Sequence, residues 1–309
     1  MIRIYIIILI CSFSFSEYLG GYPGSGFRYS TNAREMSLGN SITSEYNQGF
    51  NAFSNPALLS RIKKYEFGVS HFLMSLDRYV QVLSLSRNLS SSAGTSISIF
   101  RSGVNHIEGK DFSNQSTGFF DSSESYVMLS FGSDVTKSFS FGFNLKAIFN
   151  EIETYNASGV SADIGLLYRI SDQLVLSMMV NDIYGEYLWK ESNQKESLPM
   201  IAGAGLKYSL NDNINLFSRV DYMKPEDRNL YRLRMGVELN KSSYAIRAGL
   251  IQSSEKYNFE INEVESILDD FKILLGFGTN INDFLKLDFC VDLGNEEGIS
   301  PLFSLSFIR

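Results

Sequence analysis

The residues in this sequence that could do chemistry are charged side chains spaced two apart in its second half. Arg219 and Asp221 have this spacing, as do Arg232 and Arg234. A spacing of two puts side chains on one face of an extended strand. Four arginines of this region could form a basic patch in a lumen, where they would bind a carboxylate or an anionic head group: Arg219, Arg232, Arg234 and Arg247. The same pattern fits an alternative equally well, in which these guanidinium groups form ion pairs with Asp221 and Glu238.

Patterns for catalysis or metal binding are weak. The two histidines, His71 and His106, are far apart, and neither has a partner at a metal-ligand spacing. The sequence contains no G-x-S-x-G motif, and no serine–histidine or cysteine–histidine arrangement stands out. We therefore expect no enzyme activity, no cofactor and no bound metal. The net charge of −7 argues against a nucleic-acid partner.

The charged residues belong to strand patterns that recur along the chain. In the segment Ser138–Glu151, every second residue from Phe139 to Phe149 is apolar, and most of those between are polar or small. From Tyr65 onwards there are about fourteen such runs, most of them roughly nine to eleven residues long, the length of a tilted bilayer-spanning strand. The links alternate between short turns and longer segments such as Ser102–Ser123. This all-β pattern predicts a closed up-and-down transmembrane β-barrel of about 14 antiparallel strands, with the short turns in the periplasm.

The apolar faces of these strands must be covered either by lipid or by a second sheet. A soluble β-sandwich could hide them, but its strands are usually shorter, and it has no reason to alternate short and long links. A wide soluble barrel would expose a large apolar outside to water and aggregate. We therefore expect the phenylalanines to face outer-membrane lipid.

The N-terminus predicts export to the bacterial outer membrane. Arg3 precedes an apolar run from Ile4 to Ile10, and small residues follow up to Ser16. This order is typical of a cleaved signal peptide, and the run is too short for a transmembrane helix. Cleavage would make the formal net charge of −7 one unit more negative. We expect a signal peptide at 1–16, an N-terminal periplasmic plug at 17–64 and the barrel at 65–309.

The segment before the first strand contains two predicted helix starts. Asn32 followed by Glu35 resembles a capping box, and Gly39 is a plausible helix stop. Asn55 followed by Pro56 predicts the start of a second short helix. We expect the segment to fold into the periplasmic end of the barrel as a plug.

The same segment resembles a family of outer-membrane proteins. The stretches NAREMSLGNS and FNAFSNPALLS are similar to the hallmark of PorV/PorQ-type proteins, relatives of the FadL-type long-chain fatty-acid transporters. The residues of this motif, with two apolar positions expected to be buried beside them, are Ala33, Arg34, Met36, Leu38, Gly39, Asn55, Pro56, Ala57 and Leu59.

The resemblance implies a barrel of about fourteen strands and two possible functions. The first is protein secretion, in which a PorV-like barrel of a type IX-like system binds secreted cargo proteins or secretion-system subunits. The alternative is a FadL-like channel that takes up a hydrophobic ligand, such as a long-chain fatty acid. A purely structural or adhesive barrel is a third class. Inward-facing apolar residues are present but do not dominate, so the sequence favours the secretion role.

Overall fold

The structure, a computed structural model, describes residues 22–225, 228–257, 270–293 and 300–309. The predicted signal peptide lies outside these residues. Within them, the chain before the first strand forms four short helical segments: a 3-10 helix Ser25–Arg28, α1 (Ala33–Ser37), α2 (Asn51–Ser54) and a 3-10 helix Pro56–Arg61. No helix in the described ranges is long and apolar enough to cross a membrane.

Fifteen strands follow in the described chain. They are β1 (Tyr65–Leu73), β2 (Arg78–Ser90), β3 (Ala93–Lys110), β4 (Ser116–Asp134), β5 (Phe139–Ile152), β6 (Tyr155–Arg169), β7 (Leu174–Trp189), β8 (Lys195–Ser197), β9 (Ile201–Asn211), β10 (Ile214–Met223), β11 (Arg228–Asn240), β12 (Tyr244–Tyr257), β13 (Asp270–Asn280), β14 (Leu285–Asp292) and β15 (Ser300–Ile308).

All the strands form one antiparallel sheet that closes on itself. Each barrel strand pairs with its neighbours in the chain, and β15 pairs with β1 to complete the ring. The three-residue strand β8 pairs only with β7, so fourteen strands make up the wall. The closed fourteen-stranded barrel predicted from the sequence is therefore confirmed.

The two faces of the wall differ as the alternation predicts. On β5, Leu145 is 54% exposed and Phe149 is 50% exposed, whereas Asn144 is only 1% exposed. Successive side chains of a pleated strand point to opposite faces, so the apolar residues cover the outside and the polar ones line the lumen. The predicted orientation of the β5 phenylalanines, away from the lumen, is correct.

The two ends of the barrel differ in their connections. Six links of two to four residues lie at one end, which we call the short-turn end. At this end, the backbones of Tyr65 and Arg309 exchange two N–H···O hydrogen bonds. We call the opposite end the long-loop end.

Several strands are longer than the sequence pattern predicts. The segment Ser102–Ser123, expected to be a loop, continues β3 and β4 to 18 and 19 residues. Ile107 pairs with Phe120 in this extension, and the chain turns only between Lys110 and Ser116. The apolar alternation fades there because both faces of the extended hairpin are partly or fully exposed and neither packs on a core, yet the ladder hydrogen bonds persist.

A bulge interrupts β7 near its middle. Five residues of β7, Val180 to Tyr184, span the same length as the three residues Ala162 to Ile164 of β6. Asp182 at the centre of the bulge has a left-handed φ of 54°. Its side chain is buried in the lumen, at 2% exposure. The bulge therefore re-aims one carboxylate towards the barrel axis.

Candidate functional site

The lumen is occupied by residues 22–62, and helix α1 holds the first half of this plug. The side chain of Asn32 accepts the Glu35 N–H at the start of α1, which confirms the predicted cap. The helix ends at Ser37, and Gly39, the second residue after it, has a left-handed φ of 65°. A Cβ on Gly39 would lie 2.8 Å from the carbonyl oxygens of Met235 and Leu250 in the wall. Glycine is thus required at this position both by the backbone conformation and by the close approach to the barrel.

The second half of the motif forms the turn that begins at Asn55. The Asn55 side chain accepts the Ala57 N–H at 3.0 Å, and its amide donates to the backbone oxygens of Thr43 and Leu166. The predicted second helix therefore exists, as a 3-10 helix, and Asn55 also ties it to β6. The apolar motif residues Ala57 and Leu59 are both fully buried.

A row of four glycines on the wall makes room for this turn. The glycines pair in register across β3 to β6 and are Gly94, Gly132, Gly142 and Gly165. A Cβ on Gly142 would lie 2.4 Å from the backbone of Pro56 and Ala57. The wall lacks side chains where the plug backbone touches it, so the plug can lie directly on the strands.

One buried ion pair joins helix α1 to the barrel. Arg34 donates from Nε and Nη2 to the two carboxylate oxygens of Glu238, each at 2.9 Å. Arg247 donates to the same carboxylate at 2.7 Å and to Asp288 at 2.7 Å. Burial alone would lower the pKa of the Arg34 guanidinium, but the Glu238 carboxylate opposes this and raises the pKa above its usual value. Arg34 therefore stays charged and bonded to the wall.

A second ion pair holds residues 22–32, the part of the plug before α1, which we call the N-terminal limb. Arg28 Nη1 lies 2.7 Å from Asp182 Oδ2, at the bulge of β7. Lys146 Nζ lies 3.1 Å from Asp182 and 2.7 Å from Asp163. The two cations thus neutralise the two carboxylates, Asp163 and Asp182, inside the lumen. Such pairing is needed because an unpaired buried charge is strongly destabilising.

Polar contacts also fix the middle of the plug. Lys207 of the wall pairs with Glu45. Glu66 of β1 accepts hydrogen bonds from the Tyr46 hydroxyl, the Gly49 N–H and the Asn51 amide. Each third of the plug is therefore bonded to a different part of the barrel.

The four arginines of the predicted basic patch fall into two groups. Arg219 and Arg234 lie opposite each other on β10 and β11 and share Asp221, at 2.6 and 2.9 Å. Arg232 lies opposite Asp221 in the same ladder. Arg247 belongs instead to the Glu238 cluster. The structure thus brings three of the arginines together around one carboxylate and places the fourth elsewhere, in line with the pairing interpretation.

Above the plug, at the long-loop end, lies a cavity of about 1120 Å³, which we call the mouth cavity. The apolar and aromatic residues that line it include Phe72, Ile152, Tyr187, Trp189, Leu198, Met200, Ile251 and Leu274. Charged residues also line it, among them Arg28, Glu124, Glu196, Arg232 and Arg234. The cavity can therefore bury an apolar body and still meet a polar group.

A smaller cavity of about 90 Å³ lies deeper, between the plug and the wall. Its lining includes Phe27, Tyr126 and Lys146. Six residues line both cavities and separate them: Arg28, Tyr29, Ser30, Asn40, Arg232 and Arg234. The N-terminal limb of the plug is therefore the partition between the two spaces.

Sequence reasoning missed three parts of this site. Arg28 gave no signal, because its partner Asp182 is 154 residues away in the chain. The glycine row could have been found from glycines at inward positions near the short turns. The mouth cavity depends on the hairpin extensions, which the sequence pattern did not reveal. No group of three or more potential metal-ligating side chains occurs in the described part of the chain.

No protein-family model matches this sequence, and no curated protein does. Solved structures do match. The Pseudomonas putida toluene transporter TodX has a TM-score of 0.67 at 13% identity, over 91% of this chain and 98% of that one. The Ralstonia pickettii toluene transporter TbuX has a TM-score of 0.64 at 10% identity, over 89% of this chain and 97% of that one. A Pseudomonas aeruginosa FadL homologue has a TM-score of 0.63 at 12% identity, over 89% of this chain and 97% of that one.

This chain has a FadL-like barrel fold. The similarity covers nearly the whole length of both chains in each comparison, so it includes the N-terminal plug region as well as the wall. At these identities the similarity establishes the shared fold.

Proposed function

We propose that this protein is an outer-membrane channel for hydrophobic small molecules, the alternative function expected from the sequence. The observation that carries the proposal is a plugged lumen with a mouth cavity of about 1120 Å³ at the long-loop end. The FadL-like fold supports it, since TodX and TbuX are described as toluene transporters.

The size and lining of the mouth cavity suit a hydrophobic ligand. Ligand cavities typically measure about 300–1,000 Å³ and combine apolar walls with a few polar groups. This cavity is slightly larger. Trp189 and Ile251 on its walls are only partly buried, so they present apolar surface to the cavity. An apolar molecule entering from the long-loop end would exchange water for these side chains.

The plug gives the proposed channel its selectivity. Below the mouth cavity the lumen is filled by residues that are packed and ion-paired to the wall, such as Arg34 and Leu59. The described plug therefore leaves no wide water-filled path like that of a porin. We expect the barrel not to increase the rate at which small hydrophilic solutes enter. A ligand bound in the mouth cavity passes further only when the Arg28 limb moves.

Outside the barrel, the apolar surface fits a lipid environment. The outward residues Leu145, Phe277 and Phe303 are 47–54% exposed in the isolated chain. A band of such residues is stable only in contact with lipid. We infer that the strands span the outer membrane, with the short turns in the periplasm.

The secretion role of PorV/PorQ type remains the second candidate. One observation favours it: Phe112 and Phe119 are strongly exposed on the β3–β4 hairpin, where a protein partner could bind them. The solved structures of similar fold named above support the channel instead, since two of them are described as toluene transporters. They also agree with the expectation that the protein is not an enzyme.

Deletion of the gene in the native cell separates the two functions. For the channel we expect slower entry of labelled toluene, with no change in the proteins displayed at the cell surface. Unchanged toluene entry together with loss of surface proteins would overturn the proposal and favour secretion. Complementation with an intact copy is the control.

A further inference from the structure

Asn150 is a buried polar residue of the mouth cavity whose side-chain amide is not fully hydrogen-bonded among the described residues. It is 4% exposed, and neither its amide nitrogen nor its amide oxygen has a partner in good hydrogen-bond geometry. The Tyr187 hydroxyl interacts with the amide, but it already donates its proton to Glu196 at 2.7 Å and can only accept from Asn150, so the amide oxygen stays unpaired. An unpaired buried amide destabilises the protein unless something else satisfies it. Because Asn150 lines the cavity, a ligand can do so.

Asn150 lies in a row of inward residues at one height of the wall. Ser102 pairs with Glu124, Glu124 with Asn150, Asn150 with Ala157, and Ala157 with Trp189, across β3 to β7. Ala157 contributes only a methyl group. The amide and the indole thus lie on either side of a single small side chain.

Two aromatic rings beside Asn150 are held in place. Glu196 of β8 accepts the Tyr187 hydroxyl at 2.7 Å and the Trp189 indole N–H at 2.8 Å. The two rings meet edge to face, with centroids 6.0 Å apart. They form a fixed apolar surface against which a planar ring can pack at little entropic cost.

The acidic neighbours of Asn150 already have hydrogen-bond donors. Both oxygens of Glu196 accept bonds from the rings, and Glu124 accepts the Gly26 N–H at 2.8 Å. These carboxylates still repel an anion placed beside Asn150. The amide itself offers one acceptor and a donor group. Its complement is therefore a neutral group that both donates and accepts.

We infer that the row around Asn150 is a subsite for the head group of an aromatic compound that carries a neutral amide-like or hydroxyl group. This inference rests on the proposed channel function and specifies the ligand class of the same cavity. A plain hydrocarbon would fit the rings but leave Asn150 unpaired. A carboxylate would be directed to the arginines of β11, Arg232 and Arg234, instead.

The single tryptophan of the chain provides the measurement, because Trp189 lies in the subsite. The purified full-length protein is titrated with benzamide, toluene and benzoate, and the emission of Trp189 gives the dissociation constant of each. We expect benzamide to bind roughly five- to tenfold more tightly than either of the others, the gain from satisfying a buried amide. Asn150→Leu should remove this preference and change toluene binding by less than about twofold.

The matched control is Asn156→Leu, which makes the same change at an exposed position near the β5–β6 turn. It should bind all three compounds as the wild type does. If Asn150→Leu fails to fold, Asn150→Ala makes the same test with a smaller side chain.

The remaining outcomes overturn the inference. Equal or tighter binding of toluene, or an unaltered benzamide affinity in the Asn150 variant, would show that water satisfies the amide; the channel function would then stand without this subsite. Preferential binding of benzoate would assign the head group to the arginines. Failure of all three probes to bind, together with unchanged toluene entry in the deletion strain, would overturn both proposals.

Discussion

Arg34 and Glu238 form a two-bond ion pair between the plug and the wall, with both N–H···O distances at 2.9 Å. This contact joins the predicted motif of the N-terminal segment to strand β11, 204 residues later. Both side chains are largely buried, and the carboxylate is shared with Arg247. The motif arginine is thus explained by anchoring of the plug.

Arg34→Met should therefore loosen the plug. Removing one partner of a buried ion pair costs about 3–5 kcal/mol, and we expect the lower end because Arg247 still neutralises Glu238. Urea unfolding in detergent measures the loss, and single-channel conductance should rise as α1 leaves the wall. Arg61→Met is the matched control, since Arg61 is a plug arginine without an ion pair in the described chain. Equal effects of the two substitutions would contradict the anchoring role.

Gly142→Ala should disturb the plug through contact with its backbone. The new Cβ would lie 2.4 Å from the backbone at Pro56 and Ala57, a distance that real Cβ atoms do not show. The 3-10 helix must move away, at a cost of about 1–3 kcal/mol. The control is Ala147→Val, which adds volume to the outward face of the same strand. Protease cleavage within the plug of the folded protein should increase only for the Gly142 variant. A Gly142 variant with wild-type protection would show that the glycine row is dispensable.

Leu145→Arg tests whether the outside of the barrel meets lipid. Leu145 is 54% exposed near the middle of β5, and an arginine on the lipid face at the bilayer midplane costs about 2–4 kcal/mol. Refolding into lipid bilayers, followed by urea titration, measures this cost. Phe119→Arg on the extended hairpin should change the free energy of folding by less than about 0.5 kcal/mol. A cost that is equally small at both positions would argue against a membrane-spanning wall.

The carboxyl group of Glu35 in helix α1 should give the plug a pH-dependent stability. Burial raises the pKa of Glu35, although hydrogen bonds from Thr31 and Asn32 oppose the shift. A raised folded-state pKa means that stability is fully present below the unfolded value of about 4.3 and is lost as the pH rises through the folded value. Glu35→Gln should remove this loss.

The measurement is the difference in unfolding free energy between Glu35→Gln and the wild type, from pH 4 to pH 8. It should be near zero at pH 4 and should grow in favour of the variant as the pH rises. A difference that is constant with pH, or that falls, would show that Glu35 is not held with a raised pKa.

Some of this architecture follows from the sequence because it depends on local patterns. The alternation from Phe139 to Phe149 predicts which side chains face outwards, since the pleat alone sets it. Asn32 and Asn55 predict helix starts for the same reason, as each caps residues only two or three positions away.

The rest depends on contacts between distant parts of the chain. The hairpin extension beyond Ser102 has no apolar alternation to reveal it, and the pairing of Arg28 with Asp182 requires a bulge in β7. The sequence could pair the lumen arginines with Asp221 and Glu238, but it could not separate Arg247 from the other three. The proposal of a channel rather than a secretion role rests on the mouth cavity, which none of these patterns encodes.

The most direct test of the central proposal is the initial rate of labelled toluene entry into a Gram-negative host that lacks channels of this type. The rate is compared between cells with this barrel and cells without it, and glycerol serves as the hydrophilic control. The account predicts faster toluene entry and unchanged glycerol entry, because the plug blocks a water-filled path. Equal toluene rates, or glycerol entry that rises as much as toluene entry, would contradict it.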